Sequence, residues 1–387
     1  MSQTAAAPAA VASGASRRFL VLSAAMGSGH DAVARELVSR LTSAGHHAIS
    51  LDVLDLLPAG AGRGLRSCYH AVISHLPGLY AGIYAAFFRD GVLPRPNSDP
   101  LAALAGGRLL AFAACAKADV VVSVFHLAAQ VTGRLRARGA LGVPSAVVMT
   151  EFAPHRQWLH PGNDLYLCHA GEVAAEIAAA LNRPAVASGP LVARRFTEPP
   201  APREAEHWRR RLAAPGRPAV LLSTGAWGIG TRLAKTAGVL DAAGYLPVVL
   251  CGENTRLRRA LSASRRAVAL GWVDDMPALM AAARVLVDNA AGQTAAEALA
   301  AGLPVIGYRP IPGHGADGVR KMAALGLSDH VHDAPGLLRS VRTLSAPGPA
   351  RDRRIAAGRA VFAAGGISSL ETLGVTPGAA TARMTGH

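Results

Sequence analysis

Twice along the chain, a short apolar run ends in a glycine-rich turn that opens directly into a helical pattern: Phe19–Ser23 before Met26–His30, and Ala219–Ser223 before Thr224–Gly230. Strands this uniformly apolar must be covered on both faces, which helices crossing over a parallel sheet supply. The first series continues with a helix over Asp31–Ala44, stopped by Gly45, and strands at Ala48–Val53, Asp119–Val124 and Ser145–Met149. The second continues with strands at Pro247–Cys251, Val285–Asp288 and Pro304–Tyr308 and a helix over Thr294–Ala301. The pattern predicts an α/β chain of two doubly wound, Rossmann-like domains facing each other across a cleft. Residues 17–197 would form the first domain and 219–345 the second. Between them, 198–218 reads as a proline-rich linker carrying a polar helix, Glu204–Leu212. A helical segment over 346–373 and disordered tails at 1–16 and 374–387 complete the expected organisation.

The chain's 387 residues, 51% of them hydrophobic, allow two ordinary cores and exclude fibrous or wholly disordered classes. Its net charge of +15 comes almost wholly from arginine, since lysine stands only at Lys117, Lys235 and Lys321. Such a charge predicts attraction to a polyanion. No nucleic-acid recognition motif or basic–aromatic interleaving accompanies it, so no nucleic-acid partner is expected. Cys68, Cys115, Cys168 and Cys251 have no pairing pattern and read as buried small hydrophobes in a reducing compartment. Met1–Ser16 lacks an apolar core and does not read as a signal peptide. From Ser67 to Phe88 no Asp, Glu, Lys or Arg occurs, a length able to cross a bilayer. His70, His75, Pro77, Gly78 and Gly82 interrupt it, leaving a helical hairpin at a membrane surface or a core segment as the expected forms.

The first turn, M-G-S-G-H-D-A, satisfies the dinucleotide pattern at Gly27, Gly29 and Ala32, with Asp52 at the end of the next strand. A nicotinamide-dependent dehydrogenase is therefore one reading. His30 is what that reading leaves unused. At a helix N-terminus its ring is kept neutral, either as a base facing a cleft or as a capping and packing residue. In the second domain, T-G-A-W-G-I-G (Thr224–Gly230) offers free backbone N–H groups and a hydroxyl for phosphate, or a plain tight turn. The run D-N-A-A-G-Q-T-A-A-E (Asp288–Glu297) is more specific. Thr294 and Glu297 have capping-box spacing, and the same helix N-terminus also suits a diphosphate, with Glu297 accepting from a ribose diol.

With these residues in hand, the chain resembles the GT-B glycosyltransferases of the monogalactosyldiacylglycerol synthase type. It is more distantly similar to the peptidoglycan lipid-precursor N-acetylglucosaminyltransferase. The resemblance spans about Arg18 to Leu327. It rests on Gly27–His30, T-E-F-A-P-H-R-Q-W (Thr150–Trp158), Ser188–Val192, Thr224–Gly230, L-C-G-E-N-T-R-L, G-W-V-D-D-M (Gly271–Met276), Gly292–Ile306 and P-I-P-G-H-G (Pro310–Gly315). It implies a UDP-sugar donor held by the second domain. Gly271, Trp272, Val273 and Met276 would flank the uracil and Glu297 the ribose. Thr294 with Gly292 and Gln293, and the turn bearing Thr224, Gly225 and Gly228, would flank the diphosphate. The acceptor would meet the first domain at Gly27, Gly29, Tyr80, Tyr84, Phe87 and Trp158. His30 would be the base, with Glu151 and His155 beside it, and the anomeric centre would invert. No obligatory metal or other cofactor is implied, and no D-x-D motif is placed to bind one.

The chain departs from the family at Glu151, where Asp is usual, and in Pro312–Gly315 with Gly318, which lacks the usual Gln, Glu and Asn. Galactose therefore does not carry over as the donor sugar. The expected partners are a UDP-sugar, a lipid or other hydrophobic hydroxyl acceptor, and an anionic membrane surface. That surface would be met by Tyr69, Leu76, Leu79, Tyr80, Tyr84, Phe87 and Phe88 with Arg63, Arg66, Arg89 and Arg95. The expected location is cytoplasmic, peripheral on the inner face of the plasma membrane. Transfer to a soluble acceptor and a UDP-N-acetylglucosamine 2-epimerase activity remain as alternatives to lipid glycosylation.

Overall fold

The computed structural model describes residues 15–89, 98–214, 216–364 and 366–374. The first domain holds β1 (Arg18–Ser23), α1 (Ser28–Ser43), β2 (His47–Asp52), α2 (Ala61–His75), α3 (Pro77–Phe87), α4 (Asp99–Cys115), β3 (Val120–Ser123), α5 (His126–Ala137), β4 (Ser145–Val148), β5 (Leu165–Cys168), α6 (Gly171–Leu181) and β6 (Ala185–Ala187). Its strands form one parallel sheet in the order β2-β1-β3-β4-β5-β6. After α7 (Pro202–Arg211), the second domain runs β7 (Ala219–Ser223), α8 (Leu233–Ala242), β8 (Leu246–Leu250), α9 (Thr255–Ser264), β9 (Val268–Leu270), α10 (Met276–Ala281), β10 (Val285–Asp288), α11 (Gln293–Ala300), β11 (Val305–Tyr308), α12 (His314–Ala324), β12 (Ser328–Val331) and α13 (Ala334–Ser345). It forms a second parallel sheet, β12-β11-β10-β7-β8-β9. The chain ends with α14 (Pro349–Ala360) and α15 (Ser368–Thr372).

In each sheet the strand order reverses once, between β1 and β3 and between β7 and β10. Open α/β sheets form their ligand crevice at that point, beyond the carboxyl ends of the strands. The four loops that leave these strands therefore face the cleft. Val120–Val122 and Val285–Leu286 are completely withdrawn from solvent, as strands sandwiched between helix layers must be.

Three expectations about organisation need correction. The proposed linker is part of the second domain, because Trp208 on α7 and the following Leu212 are buried in that domain's core. The 346–373 segment is divided: α14 packs on α11 and α13, whereas Ile367 and Leu370 complete the first domain's core. Arg17 fixes this return by donating to the carbonyls of Glu371 at 3.0 Å and Leu373 at 2.8 Å. Of the four cysteines, Cys168 and Cys251 are buried but Cys68 and Cys115 are exposed.

The charge-free Ser67–Phe88 stretch is a helical hairpin, α2 and α3. Among the described residues, no helix is long and apolar enough to cross a membrane. Leu76 (52% exposed), Leu79 (52%) and Phe87 (37%) face outward. Tyr80 and Tyr84 turn inward and are buried, so they are not on the surface proposed to meet a membrane. Arg63, Arg66 and Arg89 are exposed. Arg95, most of the N-terminal tail and nearly all of the C-terminal tail lie outside the described residues.

Candidate active site

A cavity of about 590 Å³ lies between the domains, lined by the loops after β1, β3, β7 and β10 and roofed by the α2–α3 hairpin. The hairpin belongs to the first domain but grips the second. Tyr80 Oη lies 2.6 Å from His314 Nδ1, and the rings of Tyr69 and His70 pack on Trp227. Tyr84 sits directly over Gly313, where a Cβ would come within 2.6 Å of its ring at a backbone φ of +82°. Arg89 pairs with Asp317 at 3.4 Å.

His30 occupies the first turn of α1 and lines the cavity. Its Nδ1 lies 3.1 Å from the Val124 carbonyl oxygen, which can only accept, so Nδ1 carries the proton and Nε2 keeps its lone pair. Thr150 Oγ1 lies 3.1 Å from the same Nδ1. Burial lowers the His30 pKa to about 4 against an ordinary 6.5, outweighing the Val124 hydrogen bond. Desolvation, more than the helix-terminus field read from the sequence, keeps the ring neutral.

Three more histidines, His126, His155 and His314, join the cavity wall. Burial brings His126 down to about 3 and His314 to about 4, and holds His155 well below 6.5. Glu151 lies in the same wall, where burial pushes it up to about 7 and the neighbouring Trp158 indole pulls the other way. Glu151 Oε2 has no hydrogen-bond partner among the described residues. His30, Glu151 and His155 thus share one cavity. Trp158 is not an acceptor-contacting residue: it is fully buried behind His30 and His155, with ring centroids 6.3 Å from each.

Opposite His30, the first turn of α11 meets the first turn of α1. A Cβ on Gly29 would lie 3.4 Å from Gln293 Cβ, so two helix N-termini, one from each domain, converge here. Gly27, Gly29, Thr224, Gly225, Gly292, Gln293 and Thr294 all line the cavity, as do Tyr80, Tyr84 and Phe87. The expected capping box does not form. The helix is capped at Gly292 without a side-chain bond, which leaves Thr294 and Glu297 unlinked. Gln293 is committed elsewhere, donating Nε2 to the Leu191 carbonyl of the first domain at 3.0 Å. Gly228 is not a cavity residue: its φ of +65° and the nearby Asn254 side chain and Cys251 carbonyl show a backbone packing role.

Gly271, Trp272, Val273, Met276 and Glu297 lie outside the cavity lining. Arg195 connects the Gly271–Met276 loop with Glu297, donating to the Asp274 carbonyl at 3.2 Å and acting electrostatically on Glu297. Burial raises Glu297 to about 7, with Arg195 and Gln293 drawing it down. Trp272 is 55% exposed, its Nε1 donating to Asp274 at 3.0 Å. Asp52, the ribose ligand of the dehydrogenase reading, instead accepts from Ala25 and Leu54 backbone N–H groups. His126 was missed in the sequence. It follows a strand and opens α5, much as His30 opens α1, and that repeated pattern was the available signal.

The two sheets, their switch-point loops and the interdomain cavity define the GT-B fold of glycosyltransferases. The solved structure of a UGT transferase from Siraitia grosvenorii in complex with UDP superposes with a TM-score of 0.60 at 13% identity, covering 92% of this chain and 98% of that one. MurG of Acinetobacter baumannii gives 0.53 at 14% identity over 90% and 95%. Residues 30–185 match the family described as Monogalactosyldiacylglycerol (MGDG) synthase. A relative from Bacillus subtilis (strain 168), a processive diacylglycerol beta-glucosyltransferase, is 26% identical over 238 residues, 59% of this chain and 61% of that protein. The chain spans about three fifths of the length of the first curated relatives it matches.

Proposed function

We propose that this chain is an inverting glycosyltransferase that moves a hexose from a UDP-sugar to a hydroxyl of a diacylglycerol-like lipid at a membrane surface. The observation that carries the reading is His30, a neutral ring with Nδ1 tied to Val124, set in an interdomain cavity against two converging helix N-termini. The acceptor oxygen would attack C1 of the sugar while His30 Nε2 takes its proton. The C1–oxygen bond to the diphosphate breaks, and UDP leaves with the bonding pair. The backbone N–H groups of the α11 first turn and of the Thr224–Gly230 turn are suited to the charge that develops on the diphosphate. In this reading Gly271–Met276 and Glu297 hold the uridine and no metal is obligatory, so chelator leaves turnover unchanged.

The lipid acceptor is favoured by the family match over the first domain and by the apolar side chains that hairpin α2–α3 presents. Leu76, Leu79 and Phe87, flanked by Arg63, Arg66 and Arg89, suit docking on an anionic leaflet. The protein would then work from the cytoplasmic side as a peripheral enzyme. A transfer screen tests this: UDP-glucose, UDP-galactose and UDP-N-acetylglucosamine against diacylglycerol, polyprenyl phosphate and soluble aglycones, with products identified by mass. Hexosyl-diacylglycerol is the expected product. Transfer to soluble aglycones alone, or 2-epimerisation of the donor without transfer, overturns the proposal.

A further inference from the structure

The loops that form the second domain's side of the cavity converge on two residues that the sequence reading left without a role, Asp288 and Asn289 at the end of β10. Asp288, 3% exposed, folds its Oδ2 back to accept from the backbone N–H groups of Ala290 at 2.9 Å and Ala291 at 2.6 Å. That fold-back accompanies a left-handed φ of +52° at Ala291, a conformation that a residue with a Cβ adopts only when held there. Glycine would enter it freely; the Ala291 methyl lies beside Gly318, where a Cβ would come within 3.0 Å of it. The turn then delivers Gly292 and Gln293 to the start of α11.

Asn289, 6% exposed, serves the other two loops. Its Nδ2 donates to the Ile229 carbonyl at 2.9 Å, holding the Thr224–Gly230 turn. Its own carbonyl accepts the Ile311 N–H at 2.8 Å, holding the Pro310–Gly315 loop. Both neighbouring loops approach too closely for a side chain: a Cβ would lie 3.0 Å from Asn289 Nδ2 at Gly230 and 2.9 Å from the Asn289 carbonyl at Gly315. Asn289 Oδ1 has no partner among the described residues, so nothing on that side competes for the amide's orientation.

We infer that Asp288 and Asn289 are positioning residues for the donor. They preset three loops so that backbone N–H groups are aimed at the diphosphate before it arrives. This rests on the proposed function, since the diphosphate is the ligand for which the loops are preset. In Asn289→Asp an oxygen replaces the Nδ2 donor opposite the Ile229 carbonyl. Asp288→Ala removes the oxygen that accepts from the Ala290 and Ala291 N–H groups.

UDP binding by calorimetry, with steady-state kinetics on the full chain, is the test. Each variant is expected to weaken UDP binding and raise the donor KM about tenfold or more. The kcat is expected to fall as well, because the same N–H groups meet the charge that develops on the diphosphate, while the acceptor KM stays within about twofold. Adding Ala291→Gly to Asp288→Ala should restore most of the lost affinity, because glycine takes the left-handed turn without the carboxylate. If Asn289→Asp does not fold, Asn289→Ala takes its place, with the thermal midpoint measured alongside. Unchanged UDP affinity in folded variants overturns the inference, as does equal loss for donor and acceptor that Ala291→Gly does not restore. An unmodified chain that binds no UDP overturns the functional reading first, and this inference with it.

Discussion

Replacing His30 by Gln separates the base from the scaffold. The Gln amide reaches toward the Val124 carbonyl that now holds Nδ1 at 3.1 Å, and it fills much of the imidazole volume, but it has no basic nitrogen. A positioned general base contributes about 10²–10⁴ in rate, or about 3–5 kcal/mol on the barrier. The fall in kcat is expected within that range. The donor loops belong to the other domain, so UDP affinity should change less than about twofold. The ring also packs edge-on against Phe125 at 4.9 Å, a contact worth about 0.5–1.5 kcal/mol. A loss of a few degrees in thermal midpoint is therefore expected and does not count against the argument.

The pH dependence sharpens the test. With a pKa lowered to about 4, His30 already has its lone pair throughout the range from pH 5 to 8. It should set no acid limb there. The decisive measurements are kcat for hexose transfer, UDP affinity by calorimetry and the kcat profile from pH 5 to 8. A kcat within about threefold of the unmodified chain refutes the role of His30. So does an acid limb near pH 6.5 that disappears in His30→Gln, because that limb would belong to a solvated histidine.

Glu297, held up to about 7, should make UDP binding weaken as pH falls below 7 as the carboxylate gains a proton; Glu297→Gln should bind UDP weakly and without that dependence in calorimetric titrations. Unmodified chain should float with anionic vesicles, and Leu76→Ser with Leu79→Ser should not, since each leucine inserted contributes about 1.5–3 kcal/mol; equal recovery of both proteins refutes docking through α3. His30 and His314 at about 4 and His126 at about 3, against an ordinary 6.5, mean that the unfolded chain binds protons the folded chain refuses. Their stabilisation is complete above pH 6.5 and is lost as pH falls toward 4, by about 3 kcal/mol for each of the first two, measurable as lower denaturant midpoints at pH 5 than at pH 7. Gly313→Ala forces a Cβ into the Tyr84 ring at a left-handed φ, and should cost about 1–3 kcal/mol in urea unfolding while loosening the hairpin from the second domain.

The strands were legible because both sheets are buried on two faces, which writes them as continuous apolar runs; Ala219–Ser223 and Val285–Asp288 fall where the sequence placed them. The glycine-rich turns were legible for a local reason too, since backbone conformation restricts residue choice at each. What escaped was decided by partners far away in sequence. Trp208 on a polar helix reads as linker until the second domain's core closes over it. Ile367 and Leu370 read as a trailing helix until they return to the first sheet. Trp158, an acceptor contact only by family resemblance, is sealed behind two histidines. The Thr294–Glu297 spacing is local and still misled, because Gly292 begins the helix earlier and the two side chains never meet.

These misses share a logic with the site itself. Each sheet offers a crevice where its strand order reverses, so the cavity is built from the loops after β1, β3, β7 and β10, from those after β4 and β11 beside them, and from whatever covers them. The first domain places a basic nitrogen there, and the second places backbone N–H groups. The cover is supplied by α2 and α3, which sit on one domain and hold the other through Tyr80, Tyr84 and Tyr69. An uncharged stretch suits that task, because its inner face closes an apolar cavity while Leu76 and Leu79 remain outside. The same absence of charge that made Ser67–Phe88 readable as a membrane span thus follows from its having two apolar faces, one turned to the cavity and one to the surroundings. A chain whose net charge is +15 keeps Asp, Glu, Lys and Arg out of this segment, and its nearest described arginines are Arg66 and Arg89 at the two ends. That distribution suits a hairpin seated at the border between a protein cleft and an anionic surface.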